Sequence, residues 1–190
     1  MDDVEVRDLV TRAKSDADAF GQLYQHYVDR IYNYHYRHTG NSTEAEDLAS
    51  RTFYRALRSI NSYREKGASF QAWLFRIAHN LVINWYRDRG RHRSVSIDSV
   101  LPIHSTLEAP HEYVEAAEER EHLLQVITNL PEDRKTLLLL KFVEQMSNRE
   151  IATVLGRTEG AIKALYHRTL LSLREMMSEG GCVSEFRRDV

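Results

Sequence analysis

The segment from Ser147 to Leu170, SNREIATVLGRTEGAIKALYHRTL, admits few folds, because it reads as two short helices joined at a glycine. Ser147 is placed to cap the first helix, with Glu150 three residues later as its capping-box partner. Ile151, Ala152 and Leu155 make one apolar face, and Gly156 stands where a helix ends in a left-handed conformation. Thr158 offers a second cap, after which Ile162, Leu165, Thr169 and Leu170 recur inward at helical spacing. Glu159, Lys163, Tyr166, His167 and Arg168 face outward. That is the plan of a helix-turn-helix whose second helix offers polar and cationic groups to a DNA major groove. An ordinary helical hairpin shares the caps and the glycine, so the flanks decide. Leu130-Pro131-Glu132 starts a preceding helix with proline in its first turn, and the run Leu137 to Phe142 predicts a buried helix on which the other two pack.

Composition points to an all-α chain throughout. A length of 190 residues holds one or two small domains, and 42% hydrophobic with 28% charged residues is a globular balance. Three prolines, eight glycines and no sustained alternation of β-branched residues leave little room for sheet. No apolar run approaches membrane-spanning length, and the N-terminal MDDVEVRDLV is acidic rather than signal-like, so no membrane insertion is expected. The single cysteine, Cys182, excludes an intrachain disulfide framework and thiolate-rich zinc clusters, and it fits a reducing cytoplasm. Nine histidines raise the question of a helical metal-dependent hydrolase. His35 and His38 share a helix face, yet no HExxH or paired-carboxylate pattern accompanies them, and His111-Glu112 has no following histidine. No catalytic residue, cofactor or metal site is therefore expected.

The net charge of -2 conceals a segregation. Residues 49–94 carry ten Lys and Arg against two acids, a local charge of +8. Residues 95–121 carry seven acids against Arg120 alone, a local charge of -6. The local field, rather than the whole-chain balance, speaks for nucleic-acid binding.

Along the chain, Asp16 caps a first helix to about His38, with Phe20, Leu23, Tyr24, Tyr27, Val28, Ile31, Tyr32 and Tyr34 inward. Gly40-Asn41-Ser42 breaks it, and Ser42 or Thr43 starts a second with Ala45, Leu48, Ala49, Thr52, Phe53, Ala56, Leu57 and Ile60 inward. A polar loop over residues 61–69 leads to a third helix, capped by Ser69 and running to about Arg89. Serines, two prolines and weak periodicity make residues 90–110 a flexible linker. The expected organisation is two small helical domains, 1–94 and 112–178, joined by residues 95–111 and followed by a frayed tail, 179–190.

The third helix, FQAWLFRIAHNLVINWYRDRGRHR, concentrates the chemistry. Phe70, Trp73, Leu74, Ile77, Ala78, Leu81 and Trp85 form its inward face at steps of three and four. The opposite face carries Arg76, His79, Asn80, Ile83, Asn84 and Arg87, residue types that pair with phosphates, base edges and flipped bases. A merely solvated face usually carries lysine and glutamate, and neither occurs from Phe70 through Arg93. Asparagines within a helix also cost propensity.

In order along the chain, DADAFGQLYQHYVDRIYNY, EDLASRTFYRAL, FQAWLFRIAHNLVINWYR and LPEDRKTLLLLKFVEQMSNREIATVLGRTEGAIKALYHR closely resemble bacterial sigma factors of the extracytoplasmic-function (ECF) type. The resemblance runs from Asp16 to Met177. It implies core RNA polymerase and promoter DNA as partners, and an anti-sigma factor as a common restraint. The second helix would hold the polymerase through Glu46, Asp47, Arg51, Arg55 and Arg58. Ser50 and Arg51 stand where the family often has glutamine and glutamate, while Asp47, Leu48 and Phe53 are kept. The melted promoter element would meet Tyr63, Arg64, Lys66, Arg76, His79, Asn80, Asn84, Arg87, Arg89 and Arg91. The upstream duplex element would be read by Thr158, Glu159, Lys163, His167 and Arg168. A stand-alone helix-turn-helix regulator with an N-terminal sensor or dimerisation domain explains the C-terminal part equally well, but leaves the basic third helix unexplained.

Overall fold

The computed structural model describes residues 3–65, 68–88 and 122–179, and all regular structure within them is helical. A short α1 (Asp3–Arg12), which the sequence reading did not anticipate, lays Val6, Leu9 and Val10 on the bundle. Helix α2 (Ala17–Thr39) starts where Asp16 accepts a hydrogen bond from the Asp18 amide at 2.9 Å, and stops at Gly40 with φ 62°. Helix α3 (Ser42–Ser59) starts at Ser42, as expected, with Asn41 as its cap, and runs into a 3-10 turn, Ile60–Ser62. Helix α4 (Phe70–Asp88) begins with the Ser69 hydroxyl accepting from the Ala72 amide at 3.2 Å. Leu23, Ile31, Tyr34, Leu48, Leu74, Phe75 and Leu81 are wholly buried between these helices. Each such side chain contributes roughly 1.5–3 kcal/mol over an exposed one, which is why the stripes dictate the bundle.

The C-terminal part begins with a helical stretch, α5, over residues 122–128. Pro131 precedes α6 (Glu132–Leu138), as its lack of an amide hydrogen favours. The chain then widens into one π-helical turn, Leu139–Val143, which turns Leu139 and Leu140 into the core and sends Phe142 out, 56% exposed. The expected buried run from Leu137 to Phe142 therefore ends two residues early. Gln145 follows at φ 54°, a left-handed conformation without a glycine, and reverses the chain. Helix α7 (Asn148–Leu155) carries the complete capping box of Ser147 and Glu150, and Gly156 ends it at φ 64°. Helix α8 (Glu159–Glu179) buries Ile162, Leu165 and Thr169.

The two helical domains also pack on each other. Helix α7 lies along α4, and Leu137, Leu140, Ile151 and Val154 join one continuous core with the first bundle. Ile127, Leu130 and Leu138 form a separate small cluster under the distal half of α8. Polar contacts reinforce the junction. The Arg30 guanidinium on α2 pairs with Glu144 at 2.9 Å, and Gln71 on α4 donates to the Glu144 carbonyl at 2.9 Å. Tyr24, Leu57 and Leu170, expected inward, are substantially exposed instead, because each sits at the margin of its stripe.

Candidate nucleic-acid and polymerase surfaces

The outward face of α4 is a wall of a cleft rather than an open surface. Arg76 and Asn80 are exposed, His79 and Asn84 are half-buried, and Arg87 is exposed at 3.7 Å from Asp88. Nδ1 of His79 lies 2.9 Å from the hydroxyl of the fully buried Tyr34, which fixes the imidazole against the core. Opposite stand residues of α6 and α7. A cleft of about 310 Å³ has Arg76, His79 and Asn80 on one side and Glu132, Asp133 and Arg157 on the other. A wider one of about 670 Å³ lies at the start of α4, among Arg64, Trp73, Arg76, Arg149 and Thr153.

Expected among the strand-facing residues, Tyr63 is instead buried, packed on Phe70 and Trp73 with ring centroids 5.8 and 5.0 Å away. Its hydroxyl donates to the Ala68 carbonyl at 3.1 Å, and burial pushes the phenol up to about 12. Tyr63 thus anchors the loop, and only its edge lines the wider cleft beside Trp73. Trp73, assigned inward, is half-buried and lines the wider cleft; its place at the edge of the apolar stripe was the available signal. Trp85 is buried and donates to Glu44 at 2.9 Å. Arg64 is exposed, and Lys66, Arg89 and Arg91 lie outside the described residues.

The face of α8 is different. Thr158 caps it by accepting from the Ala161 amide at 3.2 Å. Lys163 and Glu159 pair at 2.8 Å in the open, and Lys163's hydrogen bond and charge hold the Glu159 carboxyl below its ordinary range. Lys163, His167 and Arg168 are all exposed along one side of the helix. Tyr166 is half-buried against Phe142 and Lys141.

On α3, Glu46, Asp47, Arg51, Arg55 and Arg58 are all exposed. Arg51 pairs with Asp47 at 3.3 Å, and the Arg58 guanidinium sits 5.8 Å from the centre of the Tyr54 ring. Sequence reasoning missed Tyr54 and Leu57, which add exposed apolar surface among these charges. It also missed the groove beside them, where Tyr24 meets Phe53 edge-on at 4.7 Å. His35 is buried, with Nε2 2.9 Å from the Thr52 hydroxyl. Since that hydroxyl donates to the Leu48 carbonyl at 2.8 Å, Nε2 carries the proton, and burial lowers the imidazole pKa to about 3.

Comparison with known proteins covers both parts of the chain. Residues 23–92 match the model of Sigma-70 region 2, and residues 120–173 match that of Sigma-70, region 4. The ECF RNA polymerase sigma factor BldN of Streptomyces coelicolor is 35% identical over 179 residues, spanning 94% of this chain and 68% of that protein. The ECF RNA polymerase sigma factor SigW of Bacillus subtilis is 33% identical over 174 residues, spanning 87% of this chain and 92% of its own. A structure of CnrH with the cytosolic domain of CnrY has a TM-score of 0.62 at 21% identity, covering 92% and 98% of the two chains. The sigma factor RpoE with the anti-sigma factor NepR from Bartonella quintana gives 0.59 at 23%, covering 84% and 96%. These two likenesses establish the fold.

Proposed function

The chain belongs to the ECF RNA polymerase sigma factors, and from that membership we propose how its surfaces divide the work of promoter recognition. It is an alternative sigma factor, a non-catalytic specificity subunit that binds core RNA polymerase and directs promoter recognition, DNA melting and initiation. A stand-alone regulator is not favoured, because residues 23–92, which that reading gives to a sensor, match region 2.

In our reading, residues 1–94 act as the unit that holds polymerase and melted DNA, and 112–178 as the unit that reads duplex. Glu46, Asp47, Arg51, Arg55 and Arg58 meet the polymerase, with Tyr54 and Leu57 supplying the apolar contact that charges alone lack. Arg76, Asn80 and the neighbouring loop take the melted strand. A base leaving its stack costs a few kcal/mol, and a polar pocket that pairs with its edge offsets that cost. The exposed Arg64, Arg76 and Arg87 supply phosphate contacts, which makes capture sensitive to salt. Thr158, Glu159, Lys163, His167 and Arg168 engage the upstream duplex, where a good bidentate base contact discriminates by roughly 1–3 kcal/mol.

An anti-sigma factor is the third partner of this reading, supported by the complexes in which the structural neighbours were solved. The site of action is the cytoplasm, where the polymerase works; no helix among the described residues is long and apolar enough to cross a membrane. The observation that carries the reading is the presence of both sigma regions, in order, on one chain. Gel filtration with bacterial core polymerase, followed by run-off transcription, tests it. Co-elution and initiation at discrete start sites are expected; a polypeptide that neither co-elutes nor directs initiation refutes it.

A further inference from the structure

Two charges of the N-terminal bundle are out of keeping with their own segments, and the fold pairs them. Glu65 is the only acid between Asp47 and Asp88. It sits in the loop given above to the melted strand, where a bare carboxylate repels phosphates. Arg7 is the only base among residues 1–11, which carry four acids. Nε of Arg7 lies 2.8 Å from the Glu65 carboxylate. Helix α1 is firmly seated, with Val6, Leu9, Val10 and Ala13 buried on the bundle. The loop's own hydrogen bonds are local. Arg64 donates to the carbonyls of Asn61 and Tyr63 at 2.7 and 3.0 Å, and the Tyr63 hydroxyl donates to the Ala68 carbonyl. Glu65 is held from outside the loop. Between α1 and the loop lies a cleft of about 170 Å³, bordered by Thr11, Lys14, Ser69 and Gln71. The ion pair bridges that cleft. Besides the burial that dominates, Glu65 pushes the Tyr63 phenol up and Arg7 draws it down, so both charges reach the loop's anchor.

We propose that Arg7 is a positioning residue for strand capture: from α1 it grips Glu65, cancels the loop's negative charge, and fixes the course of the chain beside Arg64. The inference rests on the reading of the loop under the proposed function. The two side chains are 65% and 40% exposed, and a pair so open adds little to global stability. Its effect is orientation. It restrains a loop whose other ties are local, and it removes a repulsive charge from the path of the phosphates. Helix α1 thereby serves strand capture without touching DNA.

The test uses the full chain, with core polymerase for capture and alone for amide exchange. The probe is a labelled single-stranded non-template oligonucleotide from a start site mapped by run-off transcription, and anisotropy reads its binding. Arg7→Ala should weaken capture about threefold. The log–log salt slope should stay unchanged, because Arg7 meets no phosphate. Arg7→Lys should recover most of the binding, and the thermal midpoint of Arg7→Ala should move by under about 2 °C. Hydrogen exchange at the amides of residues 62–65 should quicken about threefold in Arg7→Glu. Combining Arg7→Glu with Glu65→Arg should return it to the parent rate. A slope lowered by about 0.7 would make Arg7 a phosphate contact. Unchanged exchange would mean that the pair has no hold on the loop. Either result overturns the proposal. Arg64→Ala separates the proposal from the reading beneath it. Capture lost there but kept in Arg7→Ala overturns the proposal alone, whereas capture kept in both removes the reading of the loop as well.

Discussion

Helices α4 and α8 are of similar length, 19 and 21 residues, and each presents cationic and polar groups on one side, yet their surroundings differ. One side of α4 is pressed into the bundle and the other is walled by α7, so Arg76 and Asn80 look into a cleft. Among the described residues, helix α8 rests on α5, α6 and α7, and Lys163, His167 and Arg168 are exposed. The difference teaches that a polar face is not the same as a free face. A recognition helix that scans duplex must be reachable before anything else happens. In the reading proposed for α4, its face has nothing to bind until DNA opens.

The largest effect expected at the open face comes from Lys163→Ala with Arg168→Ala, which should lose roughly 1–3 kcal/mol for each base contact removed. Holoenzyme binding to the upstream duplex by filter assay measures it, and unchanged affinity would break the comparison at α8. The packing of α2 on α3 supplies the next. His35 is held neutral in the fold, with a pKa of about 3 against an ordinary 6.5. As pH falls below 6.5 the unfolded chain takes up a proton that the folded chain refuses, so stability falls, by about 2 kcal/mol at pH 5. Urea unfolding at pH 7 and pH 5 should show that loss, and His35→Gln should flatten it. The turn shared by α7 and α8 comes third. Gly156→Ala meets no neighbour within 4 Å but must adopt φ 64°, which costs roughly 1–2 kcal/mol in thermal unfolding. The smallest effect is diagnostic. Arg76→Ala should lower the salt dependence of holoenzyme strand capture by about 0.7 in log–log slope, whereas Asn80→Ala should leave that slope alone.

The helices were legible from the sequence because their signals are local. Asp16, Ser69, Ser147 and Gly156 cap where their side chains or φ angles require, and the stripes of α2 to α4 bury as their spacing demands. Residues at stripe margins were not legible, since Tyr24, Leu57 and Leu170 have the right chemistry for burial and simply lie outside the packed arc. Phe142 escaped because a π-helical turn changes the angle per residue, which a 3.6-residue period cannot foresee. The junction of the domains was hidden for a deeper reason. It is held by Glu144, Arg30, Gln71, Ser69 and Glu150, residues whose polarity signals exposure, and only the fold reveals that Glu144 is buried. Of the surfaces assigned from sequence, α3 and α8 emerge as exposed, while Tyr63 turned inward because its loop needs an anchor on Phe70 and Trp73.

The division of labour between the two helices is tested most directly by probing one holoenzyme–promoter complex twice, for protection of the upstream duplex and for permanganate reactivity of unpaired thymines. Asn80→Ala should leave upstream protection intact and diminish thymine reactivity. Were the substitution to weaken both signals in equal proportion, α4 would be a general binding surface and the account would be contradicted.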